Sequence, residues 1–426
     1  VIWVRPQHNQ FDIPVFDDLK EKYTAIYKLI EQDMVKAAAV VNQGGVAATI
    51  TEMTLGNKIG FEFEGKLDHQ ELFLPEHGSL LLELSEEADL DGLPEFQHLG
   101  TTIKQQQISL NDLEISLEEA KRKWEEPLED VFPTKTDYKE ENPEVELYER
   151  NKKAQPGIKV AKPTVFIPVF PGTNCEYDTA RKFRKAGAEV DTMVFKNLNP
   201  ELLEDSLEMM ADKIDESQIV MLPGGFSAGD EPEGAGKFIA TVFRNPVIKE
   251  SVNRLLQQRD GLMLGICNGF QALVKLGLLP HGEITEIEED SPTLTFNTIG
   301  RHASCMVRTK VISNLSPWLS KVEVGSEHMI PVSHGEGRFI ADQATLRELE
   351  NQGQIATQYV NLEGEPTYDI RFNPNGSVMA IEGITSPDGR IFGKMGHSER
   401  IGANVAQNIP GKKEQKLFEA GVEYFK

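Results

Sequence analysis

Cysteine is scarce in this chain of 426 residues: there are three, an odd number, and no two stand as Cys-x-x-Cys. That excludes a disulfide framework and a zinc ribbon, and it fits a reducing compartment such as the cytosol. There is no apolar run of about twenty residues, so no stretch reads as a membrane span, and no apolar segment with a basic flank opens the chain. Positive charge is also short. Lys and Arg number 44 against 68 Asp and Glu, a formal net charge of -24. Nucleic acid is a poor partner for such a surface, because phosphate binding draws on clustered cations. No phosphate loop of the Gly-x-x-x-x-Gly-Lys-Ser/Thr kind occurs, since Gly60 to Lys66 is followed by Leu67, and there is no internal repeat.

What is present is one cysteine in a telling place. Leu262 to Ile266 read as a short buried strand, and Phe270 to Leu279 have helical apolar spacing, so Gly265-Ile266-Cys267-Asn268-Gly269-Phe270-Gln271 is a sharp strand-to-helix turn. A thiol at a helix N-terminus is biased toward the thiolate, and the next backbone N–H is placed to meet a developing oxyanion. On its own a cysteine after an apolar run is an ordinary small core residue, so a base is needed elsewhere. His397-Ser398-Glu399 supplies one. It follows an expected hairpin in which Ser377 to Ile384 are largely apolar, Ser386-Pro387-Asp388-Gly389 turn, and Arg390 to Met395 return to deliver His397 to the sheet edge. Glu399 can accept from one imidazole nitrogen and so fix the tautomer. His334 and Glu336 are a rival base pair for Cys267.

Residues 164 to 273 alternate strand and helix: Thr164–Phe170, Asp178–Lys185, Glu189–Phe195, Glu201–Lys213, Ile219–Leu222, helices near Gly236–Phe243 and Pro246–Gln257, then the Cys267 strand. This order predicts an α/β parallel sheet with helices on both faces, whose ligands bind at the strands' carboxyl ends. Pro171, Gly224 and Cys267 all fall at such ends. Asn174 is a possible cap for the helix starting near Tyr177. Cys175 and Cys305 read as structural.

These motifs carry a resemblance. Gly-x-Cys-x-Gly-x-Gln with a distant His-x-Glu resembles the triad of class I glutamine amidotransferases, on a flavodoxin-like parallel sheet. Pro171-Gly172-Thr173-Asn174-Cys175, Gly224-Gly225-Phe226-Ser227-Ala228-Gly229-Asp230, Gly265 to Gln271 and His334-Gly335-Glu336-Gly337-Arg338 occur in that order. Together they resemble the glutaminase part of the phosphoribosylformylglycinamidine synthase family, from about Lys162 to the C-terminus. The resemblance implies Cys267 as nucleophile of a γ-glutamyl thioester, His397 as base and acid, and Glu399 as its orienting group. It implies an oxyanion hole at the Gly225 and Asn268 amides, and a glutamine pocket lined by Phe226, Gln271, His334 and Glu336. It implies no metal and no cofactor for the glutaminase step. ATP and Mg²⁺ would serve a synthetase reaction mainly outside this chain, on the remaining synthetase portion of the same polypeptide. Where the family often has proline between the histidine and glutamate, this chain has Ser398, which removes a constraint on φ. The alternatives are another cysteine amidohydrolase, or a non-catalytic regulatory domain, on the same scaffold.

The first part is a different domain. Tyr23 to Val41 has helical spacing, with Ile26, Leu29, Ile30, Met34 and Ala37 on one face. Gly44-Gly45 followed by Val46 to Met53 resembles the glycine pair and helix in the C-terminal half of an aminoimidazole ribonucleotide synthetase-like α+β fold. The acidic residue which that family has before the glycines is absent from Val40-Val41-Asn42-Gln43. The expected division is 1–110, a synthetase-like domain; 111–163, a charged helix over Asn111 to Trp124 and a linker; and 164–426, the amidotransferase domain. With Val1 in place of an initiator methionine, the chain is expected to be the C-terminal part of a longer, cytoplasmic enzyme.

Overall fold

The computed structural model describes residues 1–65, 70–136, 141–144, 146–150, 155–229 and 235–426. Asp230, noted above, lies outside these, as do Asp137 to Glu140 of the expected linker. The chain forms two compact units, Val1–Thr134 and Lys135–Lys426.

In the first unit, Val35–Val40, Leu80–Leu84, Ile2–Val4 and Gln97–His98 make one antiparallel sheet in that order. Gly100–Ile103, Gly60–Phe63, Gln107–Leu110 and Leu113–Ser116 make a second, mixed sheet in which the middle two strands run parallel. The expected boundary at 110 therefore falls inside the hairpin of the last two strands. Two helical expectations are corrected. The first helix is Phe16–Glu31, and Val35–Val40 is a strand paired to Leu80–Leu84. Asp33 takes a left-handed φ of 58° and breaks the helix, and sheet pairing overrides the helical preference of Lys36-Ala37-Ala38-Ala39. Ile30 is exposed, off the buried face of Ile26 and Leu29. Likewise the charged helix is Leu117–Glu125, capped by Ser116 Oγ accepting from the Glu119 N–H, after a strand. The glycine pair has a packing cause. Gly45 has φ +65°, and a Cβ there would lie 2.4 Å from the Leu72 carbonyl oxygen.

The second unit is built on a nine-stranded sheet. Its strands are β1 (Thr164–Val169), β2 (Glu189–Val194), β3 (Ile219–Leu222), β4 (Leu262–Ile266), β5 (Ala303–Val311), β6 (Glu327–His334), β7 (Ile355–Tyr359), β8 (Ile381–Thr385) and β9 (Ile391–Lys394). The order is β2-β1-β3-β4-β9-β8-β7-β5-β6. The first five are parallel, and β8, β7, β5 and β6 extend the sheet by antiparallel pairing. The inner strands β1, β3 and β4 are buried on both faces and read as apolar runs, such as Ile219-Val220-Met221-Leu222, whereas the edge strand β2 is largely exposed. Helices α1 (Glu176–Lys185), α2 (Pro200–Glu216), α3 (Lys237–Phe243), α4 (Pro246–Gln258) and α5 (Asn268–Lys275) supply the crossovers and the packing, as the alternation predicts. The β8–β9 hairpin forms, but β9 lies between β4 and β8 rather than at a lateral edge. Its register sets Gly393 opposite Gly265 and Lys394 opposite Ile266, so the chain beyond β9 emerges beside Cys267.

Candidate active site

The β4–α5 turn is shaped by its glycines. A Cβ on Gly269 would lie 2.0 Å from the Leu222 carbonyl oxygen, and one on Gly265 would lie 2.7 Å from that of Gly269. Only without those side chains does α5 pack this closely on β3 and β4. Cys267, between them, is the N-cap residue of α5 with φ 52° and ψ -105°, a strained conformation for a residue with a Cβ. Its N–H donates to the Lys394 carbonyl at 2.8 Å. The thiol is buried, 3.8 Å from the Ser333 carbonyl oxygen.

The loops after β1 and β3 are knitted together. The Phe226 N–H donates to Gly172 O at 2.8 Å and the Ala228 N–H to Pro171 O at 2.9 Å, while Asn174 and Cys175 both donate to Gly224 O at 3.3 Å. Gly225 has φ +152°, and a Cβ there would lie 2.6 Å from Gly172 O. Among the described residues, neither the Gly225 N–H nor the Asn268 N–H has a hydrogen-bond acceptor. The Asn268 side chain is otherwise committed: Oδ1 accepts from the Ser227 N–H and Nδ2 donates to Gln271 Oε1.

A pocket of about 190 Å³ joins Cys267, Gly225, Phe226, Gln271, His334 and Glu336, so six of the expected residues share one cavity. Gln271 Nε2 donates to the Glu336 carbonyl at 2.6 Å, and Glu336 Oε2 accepts from the Ala235 N–H. A larger cavity of about 860 Å³, lined by Asn314, Lys321 and Tyr424, contains none of the expected residues.

His397 and Glu399 lie behind this pocket, both buried, with Nδ1 and Oε1 2.6 Å apart. Burial alone would lower the His397 pKa. The Glu399 charge opposes it, hydrogen bonding to the Cys175 and Cys267 thiols adds to that, and the value is raised well above the ordinary one. Burial acts to raise the Glu399 pKa, but the His397 charge and hydrogen bond prevail and lower it. The pair is therefore an imidazolium and a carboxylate. His334 differs. Burial, then the charges of His397 and His302, push its pKa down to about 3. Its Nδ1 meets Asn297 Oδ1 at 3.2 Å, and among the described residues no hydrogen bond joins it to Glu336. An imidazole with its pKa pushed so low, and with an amide in place of a carboxylate beside it, makes the rival pair the weaker base.

Cys175, read from the sequence as structural, also faces the base. It is buried with Sγ 3.8 Å from His397 Nδ1, and burial raises its pKa. It also occupies the N-cap of α1, so Asn174 does not cap that helix; Asn174 Oδ1 accepts instead from the Cys175 thiol and from Arg400. The position of Cys175 in a loop at a strand's carboxyl end was the available signal. Ligand-capable atoms of Cys175, His397 and Glu399 lie within 4.8 Å of one another, but Nδ1 and Oε1 are already bonded to each other, an acid–base arrangement. Cys305 is exposed on β5, away from this cluster.

Residues 162–425 match the family model described as the CobB/CobQ-like glutamine amidotransferase domain. The phosphoribosylformylglycinamidine synthase subunit PurQ of Methanococcus maripaludis strain S2 is 37% identical over 246 residues, 57% of this chain and 84% of that protein. The subunit of the same name from Aquifex aeolicus is 32% identical over 248 residues, 58% of this chain and 94% of that one. A solved structure of PurLQS from Thermotoga maritima is similar at 26% identity with a TM-score of 0.45, covering 62% of this chain and all of that one.

Proposed function

Because the chain belongs to the CobB/CobQ-like glutamine amidotransferase domain family through residues 162–425, we propose that it is the glutaminase part of a phosphoribosylformylglycinamidine synthase. It releases ammonia from L-glutamine for C–N bond formation in purine biosynthesis. The observation that carries this reading is a strained cysteine lining the 190 Å³ pocket together with a buried imidazolium–carboxylate pair that bonds to its thiol.

The steps follow from the geometry. The glutamine side-chain amide enters the pocket between Phe226, Gln271 and the His334-to-Glu336 turn. Cys267 Sγ attacks the amide carbon, and the Gly225 and Asn268 N–H groups take the negative charge on the oxygen. The His397 imidazolium gives its proton to the departing nitrogen, ammonia leaves, and a γ-glutamyl thioester remains on Cys267. His397, now neutral, takes a proton from water as the water's oxygen attacks the thioester. The C–S bond breaks, glutamate leaves, and the Cys267 sulfur and the His397 imidazolium are restored. Glu399 holds the ring and its charge throughout. No cofactor enters these steps.

The ammonia passes to a synthetase site that uses ATP and Mg²⁺ to convert formylglycinamide ribonucleotide to the amidine, on the remaining portion of the same polypeptide. The Val1–Thr134 unit is the part of that synthetase carried here. The enzyme works in the cytoplasm, a reading supported by its three free cysteines; among the described residues, no helix is long and apolar enough to cross a membrane.

The test is labelling with a glutamine-like diazoketone. One label on Cys267, blocked by glutamine, is expected. Labelling of Cys175 in its place, or labelling that glutamine does not block, would overturn the assignment.

A further inference from the structure

The turn that carries His397 stands on a buried ion pair that the steps above do not use. Lys394 ends β9 and Glu382 lies in β8; both side chains are fully buried, with Nζ and Oε1 3.2 Å apart. Lys394 touches the site on two sides. Its carbonyl accepts the Cys267 N–H, and its Nζ donates to Gly396 O at 3.0 Å and to Ser398 Oγ at 3.1 Å, the residues flanking His397. Glu382 closes the arrangement: Oε1 accepts the Gly396 N–H at 2.6 Å and Oε2 accepts from Thr357 Oγ1. Ser398 Oγ also donates to Gln415 Oε1 at 2.6 Å. The hydroxyl at Ser398 thus ties down by hydrogen bonds a turn that a proline would have stiffened through φ.

A buried ion pair is weak evidence for stability, since well-packed apolar residues of similar volume often serve as well or better. Apolar residues here, however, would leave the Gly396 N–H and the Ser398 hydroxyl without these partners. The arrangement therefore speaks to geometry more than to stability. We propose that Lys394, together with Glu382, is a positioning residue that fixes the Gly396–Glu399 turn against the Cys267 turn, so that His397 meets the sulfur. It acts through the base without touching glutamine. This inference rests on the glutaminase reading above.

The experiment compares the full chain with K394M/E382Q, which removes both charges together so that neither is left buried alone, and with S398A, which removes one acceptor of Lys394. The readouts are kcat and KM for glutamine hydrolysis, with the thermal midpoint as a separate measure. The double variant is expected to lose about 10- to 100-fold in kcat, as for a misplaced catalytic group, with KM for glutamine nearly unchanged. S398A is expected to fall in the same direction by less. Wild-type kcat in a folded double variant overturns the proposal, as does a loss confined to KM or to the thermal midpoint. If the double variant does not fold, S398A decides by the same criteria. Failure of the unaltered chain to hydrolyse glutamine or to take the diazoketone label would instead sink the glutaminase reading, which keeps the two failures apart.

Discussion

His397 Nδ1 and Glu399 Oε1 lie 2.6 Å apart with both side chains sealed from solvent, so the carboxylate sets the tautomer and the charge of the ring. E399Q keeps the shape and removes the charge. The expected result is a fall of about 10²- to 10⁴-fold in glutaminase kcat, the range for impairing a general acid–base, read as glutamate release. The His397 pKa, raised chiefly by Glu399 against the effect of burial, falls in this variant. An NMR titration of the ring reads that shift.

Gly224 bears on the same ring from another side. A Cβ at that position would lie 2.7 Å from His397 Cε1 and 3.0 Å from Cys175 Sγ. G224A should therefore push the base away from its place while leaving the sheet core intact. The expectation is a loss of about 100-fold in kcat with a much smaller change in thermal midpoint, measured on the same preparation.

Acid should destabilise the second unit. Burial, then the charges of Lys394 and Lys412, lower the His328 pKa to about 4, and the ordinary value is 6.5. A depressed folded value means that the unfolded chain binds the extra proton between those two pH values. Stability contributed by the neutral imidazole is present above 6.5 and is lost as pH falls toward 4. H328Q should flatten the dependence of the thermal midpoint on pH within that window. A curve as steep as that of the unaltered chain would show that other groups dominate, His334 first among them.

The parallel half of the sheet was legible because strands buried on both faces are apolar runs closed by Pro-Gly or Gly-Gly turns, as at Phe170-Pro171-Gly172 and Leu222-Pro223-Gly224. Cys267 was legible because Gly265 and Gly269 are required by the tight packing of α5 on β3 and β4, and that requirement leaves a pattern. Val35–Val40 was not, since its alanines favour a helix until Leu80–Leu84 pairs with them. Cys175 and Lys394 were not either. Both depend on how strands and loops are brought together, and no local spacing records a thiol 222 residues from its imidazole or a lysine turned inward to a glutamate on the neighbouring strand.

The central claim is that one sulfur does the chemistry. The most direct measurement is the C267A variant placed in the whole synthase and assayed twice, with glutamine and with free ammonia as nitrogen donor. Loss of glutamine-dependent synthesis with ammonia-dependent synthesis retained is the predicted result. Continued use of glutamine, or loss of both activities together in a folded protein, would contradict it.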